Sequence, residues 1–350
     1  MRRRSLALQV SAALLGASFL GASFLGAPAA AAAPDQARSR VVCTIKDDDI
    51  TESSGLVALS EGGFVTTNDS GDRSRIFVLD QDCEVTDEIE WADDDPRDVE
   101  ALAPDGDDAV WVGDIGDNLA RRDSVRLSRV PLDGGDVESY DLRFPDHARN
   151  AEALLAVPGS GRLLLISKEV FGGSVFGAPG ELGADSRWEL LGQVPGFVTD
   201  AAFFPDGEHL LVRGYADATV LTWPELDVVG ETFALPPQPQ GEAVAIDAAG
   251  RIFLTSEGKN EPLLEIELPA EIASALVAAT PSSTAPLGTT ATPGTTATPG
   301  STPGSTPGST PGTPDEFEAP SQPRDPIPWV LGGVIAVLAG VILVRALRPR

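Results

Sequence analysis

The feature that most constrains this chain is a unit that occurs five times between Ser53 and Glu257. Each copy has a small or acidic start, an apolar strand, a turn containing glycine and a second, strongly apolar strand. The copies begin at Ser53, Val99, Ala151, Thr199 and Gly241. These starts lie about 40 to 50 residues apart, the length of one four-stranded propeller blade. The sequence therefore predicts an all-β propeller with five blades, and six blades are the alternative.

Further strand patterns complete the blades. A third strand is predicted at Arg75–Leu79, 124–130, 174–178 and 219–223, and a fourth at 86–91, 137–144, 188–194 and 228–235. The fifth repeat ends with a strand at 263–268 and lacks a fourth. An unassigned strand at 41–45 opens the domain, and we expect it to fill that place, because ring closure removes an exposed sheet edge.

The two ends of the chain carry export and membrane signals. Three arginines precede an apolar run and a small-residue stretch, so residues 1–32 are predicted to be a signal peptide. Residues 327–344 carry no charge, and the arginines of 345–350 follow directly. This pattern predicts one transmembrane helix with a cytoplasmic tail.

Between the propeller, assigned to 41–269, and this helix lies a segment rich in Thr, Pro, Gly and Ser. Residues 280–326 repeat ATPG and STPG, and too few apolar side chains are present to stabilise a core. We expect a disordered stalk that holds a monomeric propeller outside the cell, in a single-pass cell-membrane protein.

The chain has two cysteines, Cys43 and Cys83, and both lie in the part predicted to be exported. An extracellular compartment permits a disulfide, so we expect them to pair. The two histidines, His147 and His209, are not spaced with the cysteines as zinc ligands are.

The formal net charge is −28. Such a surface repels nucleic acid and attracts cations. The charge predicts no nucleic-acid partner, and it is consistent either with calcium binding or with solubility alone.

Blade geometry predicts where these acids meet. Inner strands start, and second strands end, at the same mouth of the channel. Inner-strand starts carry Glu52, Asp98, Glu100, Asn150, Glu152, Asp200 and Glu242, and second-strand ends carry Asn68, Asp69, Asp114, Lys168, Glu169, Arg213 and Glu257. Acids at nearly every position would repel one another unless neutralised, although such residues also cap turns.

A hard cation such as calcium is the natural partner of so many carboxylates. The predicted ligands of the cation are Glu100, Asp114, Glu152, Asp200, Glu242 and Glu257. Side chains predicted to bind a further ligand are Asn68, Asp69, Lys168 and Arg213.

Several segments resemble secreted actinobacterial propeller proteins described as phytase-like, or as having esterase-like activity of phytase. These segments are NDSGDRSRIFVLD, DVEALAPDGDDAVWVGDIGDN, ARNAEALL, VTDAAFFPDG and QPQGEAVA. The resemblance covers nearly all of 41–269 and implies a propeller with its site at one channel mouth. Propeller phytases have six blades, several calcium ions and a basic phosphate site, whereas this sequence predicts five blades and two basic mouth residues.

Two functions follow. The first, which we favour, is a surface module that binds an unidentified ligand or surface protein. The alternative is a calcium-dependent hydrolase of phosphate or other esters, in which Glu152 or Glu242 activates water. The sequence contains no GxSxG elbow, Walker loop or dinucleotide fingerprint.

Overall fold

The computed structural model describes residues 36–69, 71–92 and 95–279. The predicted signal peptide 1–32, stalk 280–326, transmembrane helix 327–344 and tail 345–350 lie outside these residues. Within the described part, no helix has the length and apolar character needed to cross a membrane.

Within the described residues, twenty strands form five antiparallel sheets of four strands, and each sheet is one blade. Blade 1 contains β2 (Ser53–Ala58), β3 (Phe64–Asn68), β4 (Arg75–Leu79) and β5 (Val85–Glu90). Blade 2 contains β6 (Val99–Asp105), β7 (Ala109–Asp114), β8 (Val125–Pro131) and β9 (Glu138–Leu142). Blade 3 contains β10 (Ala151–Ala156), β11 (Leu163–Ser167), β12 (Gly173–Gly177) and β13 (Glu189–Val194).

The remaining two blades follow the same order along the chain. Blade 4 contains β14 (Asp200–Phe203), β15 (His209–Arg213), β16 (Asp217–Thr222) and β17 (Val228–Ala234). Blade 5 contains β18 (Gly241–Ile246), β19 (Ile252–Ser256), β20 (Pro262–Glu267) and the N-terminal strand β1 (Arg38–Thr44). The inner strands β2, β6, β10, β14 and β18 contact one another in this order, and β18 contacts β2. The prediction of a five-bladed propeller is confirmed.

Blade 5 is closed by the chain's N-terminal strand, as the sequence predicted. Strand β1 runs antiparallel to β20, with Arg38 opposite Glu267 and Thr44 opposite Pro262. The helix α1 (Ala270–Ala279) follows β20, and its Ile272 is buried in the apolar core shared by blades 4 and 5.

The predicted disulfide between Cys43 and Cys83 is present, with the two Cα atoms 5.8 Å apart. Cys43 lies in β1 of blade 5, and Cys83 lies in the turn between β4 and β5 of blade 1. The bridge therefore joins the closing strand to the blade on the other side of the seam.

The apolar core lies between the blades. The part of the chain that the structure describes has five buried clusters, and each contains residues from two adjacent blades. Val65 of blade 1 packs with Val110 of blade 2, for example, and Leu164 of blade 3 packs with Leu210 of blade 4. Because side chains alternate between the two faces of a strand, each blade supplies apolar groups to both of its neighbours.

Candidate functional site

The inner strands of four blades begin with an irregular register. In blades 2 and 3 the pairing skips Glu100 and Glu152, and in blade 1 it skips Ser54. In blade 5 the break includes Glu242. A bulge leaves the extra residue outside the ladder and redirects its side chain. Three of the four bulges thus carry a glutamate at the same mouth of the channel.

Asp69, Asp98 and Glu100 form the tightest group of carboxylates at this mouth. Each offers one oxygen, and these oxygens lie within 4.8 Å of one another. Gly116, in the GDIGDN segment, packs against the group. A Cβ atom at this position would lie 2.4 Å from Asp98 Oδ2 and 2.5 Å from Glu100 Oε1. Only glycine fits beside these two carboxylates.

Glu100 is the most perturbed member of this group. Its side chain is 8% exposed and lies among other carboxylates. Burial, followed by the charges of Glu152, Asp69 and Asp98, raises the pKa of Glu100 to about 11. Without a compensating positive charge, this carboxyl is therefore protonated at neutral pH.

Glu152 is paired with Lys168. Lys168 Nζ lies 3.0 Å from Glu152 Oε2, and Asn150 Nδ2 donates to Glu152 Oε1 at 2.7 Å. The ammonium also donates to the Tyr215 hydroxyl at 3.0 Å and lies 5.3 Å from the ring centre of Phe197. Burial lowers the pKa of Lys168, but Glu152 and Tyr215 outweigh it and raise the pKa overall. This ion pair occupies Glu152, so the carboxylate is not a free base.

Glu242 and Glu257 extend the acidic cluster on its blade 5 side. Gln240 Nε2 donates to Glu242 Oε1 at 3.0 Å. Burial raises the pKa of Glu242 to about 8, against the opposing effects of Gln240 and Lys168. Burial and then the charge of Asp69 raise the pKa of Glu257. We name the whole group the acidic mouth: Asp69, Asp98, Glu100, Glu152, Glu242 and Glu257, with Lys168.

Two other predicted site residues have their side chains used within the protein. Asn68 Oδ1 accepts hydrogen bonds from the backbone N–H groups of Thr51 and Glu52, at 3.0 and 3.1 Å. Asp114 Oδ1 accepts from Arg122 Nη1 at 2.7 Å. Both residues position loops around the mouth.

Asp200 and Arg213 join blade 4 to blade 5. Asp200 Oδ2 accepts from the N–H of Val244 at 2.7 Å, and Arg213 Nη1 donates to the carbonyl of Ala243 at 2.9 Å. Both side chains are fully buried. Burial raises the pKa of Asp200 and lowers the pKa of Arg213 to about 10. Neither residue is placed to contact a ligand at the mouth.

The sequence did not indicate three features of the site. Asp98, which the sequence placed at the mouth but not among the cation ligands, lies with Asp69 beside Glu100. Phe197 and Tyr215 lie beside the Lys168 ammonium. The glycine inside GDIGDN was the available signal, because it stands where the Asp98 and Glu100 carboxylates need space.

The fold and this mouth define the chain as a five-bladed β-propeller with an acidic channel mouth. No protein-family model matches the sequence, and a search of curated proteins finds no match. The resemblance to phytase-like propellers therefore has no support from a family match.

Several solved propeller structures share the general fold. A streptogramin B lyase is 11% identical, covers 66% of this chain and 98% of its own, and gives a TM-score of 0.39. An aldose sugar dehydrogenase from Streptomyces coelicolor is 13% identical, with 67% and 99% covered and a TM-score of 0.42. A gluconolactonase from Xanthomonas campestris is 18% identical, with 67% and 80% covered and a TM-score of 0.41. Likeness at this level says nothing of activity.

Proposed function

We propose that this chain is a membrane-anchored cell-surface binding protein, whose propeller holds a calcium ion at the acidic mouth and presents that mouth to a ligand or partner protein. The anchoring rests on the sequence signals at 1–32 and 327–344. The cation site rests on the geometry of the mouth.

One observation carries the cation site. The oxygens of Asp69, Asp98 and Glu100 lie within 4.8 Å of one another, and the Glu100 side chain is only 8% exposed. Carboxylate oxygens are the ligands that calcium prefers, so the donor set fits. We place the ion at these three residues. The ligands predicted from the sequence included Asp114 and Asp200 but neither Asp69 nor Asp98.

Calorimetry with the full-length chain in detergent tests the site. We expect calcium to bind and to raise the melting temperature, because the ion binds the folded ring and not the unfolded chain. Glu100→Gln removes one ligand charge and should weaken binding at least tenfold. Glu231→Gln, in the outer strand of blade 4, is the matched control and should bind as the wild type does. Absence of calcium binding to the wild type would refute the site.

The contacts of the two basic residues that the sequence predicted at the mouth favour ligand binding over hydrolysis of anionic esters. Arg213 is buried in backbone contacts, and Lys168 is held by Glu152 and Tyr215. Neither cation is therefore placed to neutralise an incoming phosphate without rearrangement. A ligand with hydroxyl, amide or cationic groups suits the acidic mouth better.

A second function, calcium-dependent ester hydrolysis, has one observation in its favour. The pKa of Glu242, raised to about 8 by burial, lies near the value that suits a general acid or base at neutral pH. Hydrolysis of p-nitrophenyl phosphate or acetate that requires calcium and is lost in Glu242→Gln would establish this function. If the chain binds calcium but hydrolyses neither ester, the result supports the binding function over hydrolysis.

The anchoring has its own test. In wall-stripped intact cells, the protein should sediment with membranes, and added protease should release the propeller. Full protection from protease would contradict the proposed topology.

A further inference from the structure

The end of the channel opposite the acidic mouth is an apolar pocket. The glutamates lie at the starts of the inner strands, and these strands then run away from the acidic mouth through the ring. Their later residues surround a cavity of about 160 Å³. All five blades contribute to its wall, for example through Leu56, Leu102, Leu154, Ala202 and Val244.

The wall of this pocket offers no free charge. Its lining is built from Leu, Val, Ile, Ala, Phe and Pro, with Asp247 as the one charged residue. The Asp247 carboxylate accepts hydrogen bonds from Arg251 Nε at 2.7 Å and from the Arg251 backbone N–H at 2.8 Å. Its charge is thus already paired. A charged ligand would lose its hydration in this pocket without gaining a partner.

Blade 4 creates part of the space. Two residues after the position held by Ser54, Glu100 and Glu152, blades 1, 2 and 3 have Leu56, Leu102 and Leu154, whereas blade 4 has Ala202 two residues after Asp200. A leucine at this position of blade 4 would project three further carbon atoms from a residue that lines the cavity. The pocket therefore depends on a departure from the repeat.

We propose that this pocket binds an uncharged apolar molecule, or the apolar group of a larger small molecule, of about the size of one benzene ring. An apolar cavity of about 150 Å³ lined by Leu, Ile and Phe binds benzene, and this pocket, which is open at the channel end, has a similar volume and a wall built mostly from apolar side chains. Burial of the ligand's apolar surface provides the driving force. The pocket is separate from the acidic mouth, and its occupation needs no cation.

Fluorine NMR of fluorobenzene with the full-length chain in detergent tests the proposal. We expect a resonance of bound ligand that is distinct from the signal in the micelle. Ala202→Leu fills the cavity with a side chain found at the same position of three other blades, so it should fold and lose the bound resonance. Ala184→Leu, at an exposed position of the loop between β12 and β13 and outside the pocket wall, is the matched control and should retain it.

If Ala202→Leu does not fold, Ala248→Leu at the exposed rim of the same pocket replaces it, with the same expected loss. Two results would overturn the proposal: no bound resonance in the wild type, or a bound resonance that persists in folded variants of both alanines. The second result would show that fluorobenzene binds at a site other than this pocket.

Discussion

Blade 4 and three of the other blades use the same repeat position in different ways. In blades 2, 3 and 5 the position carries Glu100, Glu152 and Glu242, each within a bulge at the acidic mouth. In blade 4 the strand has no bulge, and Asp200 pairs in register with Arg213. Its carboxylate then bonds to the backbone of blade 5. The same position therefore supplies a carboxylate to the acidic mouth in blades 2, 3 and 5. In blade 4 it joins two blades instead, because the local strand register is different.

Among the changes that test this comparison, we expect Arg213→Met to have the largest effect on the free energy of unfolding. The guanidinium donates to the carbonyls of Ala243 and Thr255 and to Gln238, and its loss leaves these acceptors without this donor and removes the positive charge that stabilises the Asp200 carboxylate. We expect a loss of about 3 kcal/mol or more in the free energy of unfolding. Lys168→Met, which removes the cation of the acidic mouth, should cost less than half as much, because Glu152 can take up a proton. Equal losses in chemical denaturation would contradict the distinction.

Asp200→Asn should have the next largest effect. The two carboxylate oxygens accept from the N–H groups of Ala201 and Val244, and an amide NH₂ must face one of these donors. We expect a loss of about 1 to 3 kcal/mol. The equivalent change in blade 5, Glu242→Gln, should leave the calcium-free stability unchanged or higher. A loss in blade 5 as large as that in blade 4 would show that both acids join blades.

The acidic mouth should also make stability depend on pH when calcium is absent. The pKa of Glu242 is raised from 4.5 to about 8, so the folded state holds this proton more tightly than the unfolded chain does. The resulting stabilisation is complete below pH 4.5 and is lost as the pH rises through 8. Melting temperatures in chelator should therefore fall from pH 5 to pH 8. Glu242→Gln should flatten that slope, and an unchanged slope would be evidence against the raised pKa.

The smallest effect is expected from Glu100→Gln in chelator at pH 7. With a pKa raised to about 11 by burial and neighbouring acids, the carboxyl is already neutral, and glutamine has nearly the same shape. We expect the free energy of unfolding to change by less than about 0.5 kcal/mol. A large stabilisation would show that Glu100 is ionised in the calcium-free protein.

The repeats made most of the fold predictable. Their spacing gave five blades, and the missing strand of the fifth repeat predicted closure by the N-terminal strand, which β1 provides. Both depend on patterns that recur locally in the sequence. The disulfide followed from a different argument, the predicted export of the segment that contains the chain's two cysteines.

The site was less predictable. The repeats show which positions carry acids, but they do not show the strand register that determines the direction of each acidic side chain. Arg213 was expected at the mouth, yet it is buried against blade 5. Gly241 makes room for it: a Cβ atom there would lie 2.0 Å from Arg213 Nη2. That space depends on how two blades approach each other. A single repeat contains no information about it.

The closing strand has a consequence for the order of folding. Strand β1 is synthesised before the other strands of the ring but pairs with β20, the last of these strands along the chain, so its edge has no partner while blades 1 to 4 assemble. The bridge to Cys83 needs only blade 1. Once formed, it keeps β1 beside the seam where the fifth blade must enter, and less chain entropy is lost when β20 arrives. We therefore expect the oxidised chain to refold faster than the reduced one, and equal stopped-flow rates would exclude this role for the bridge.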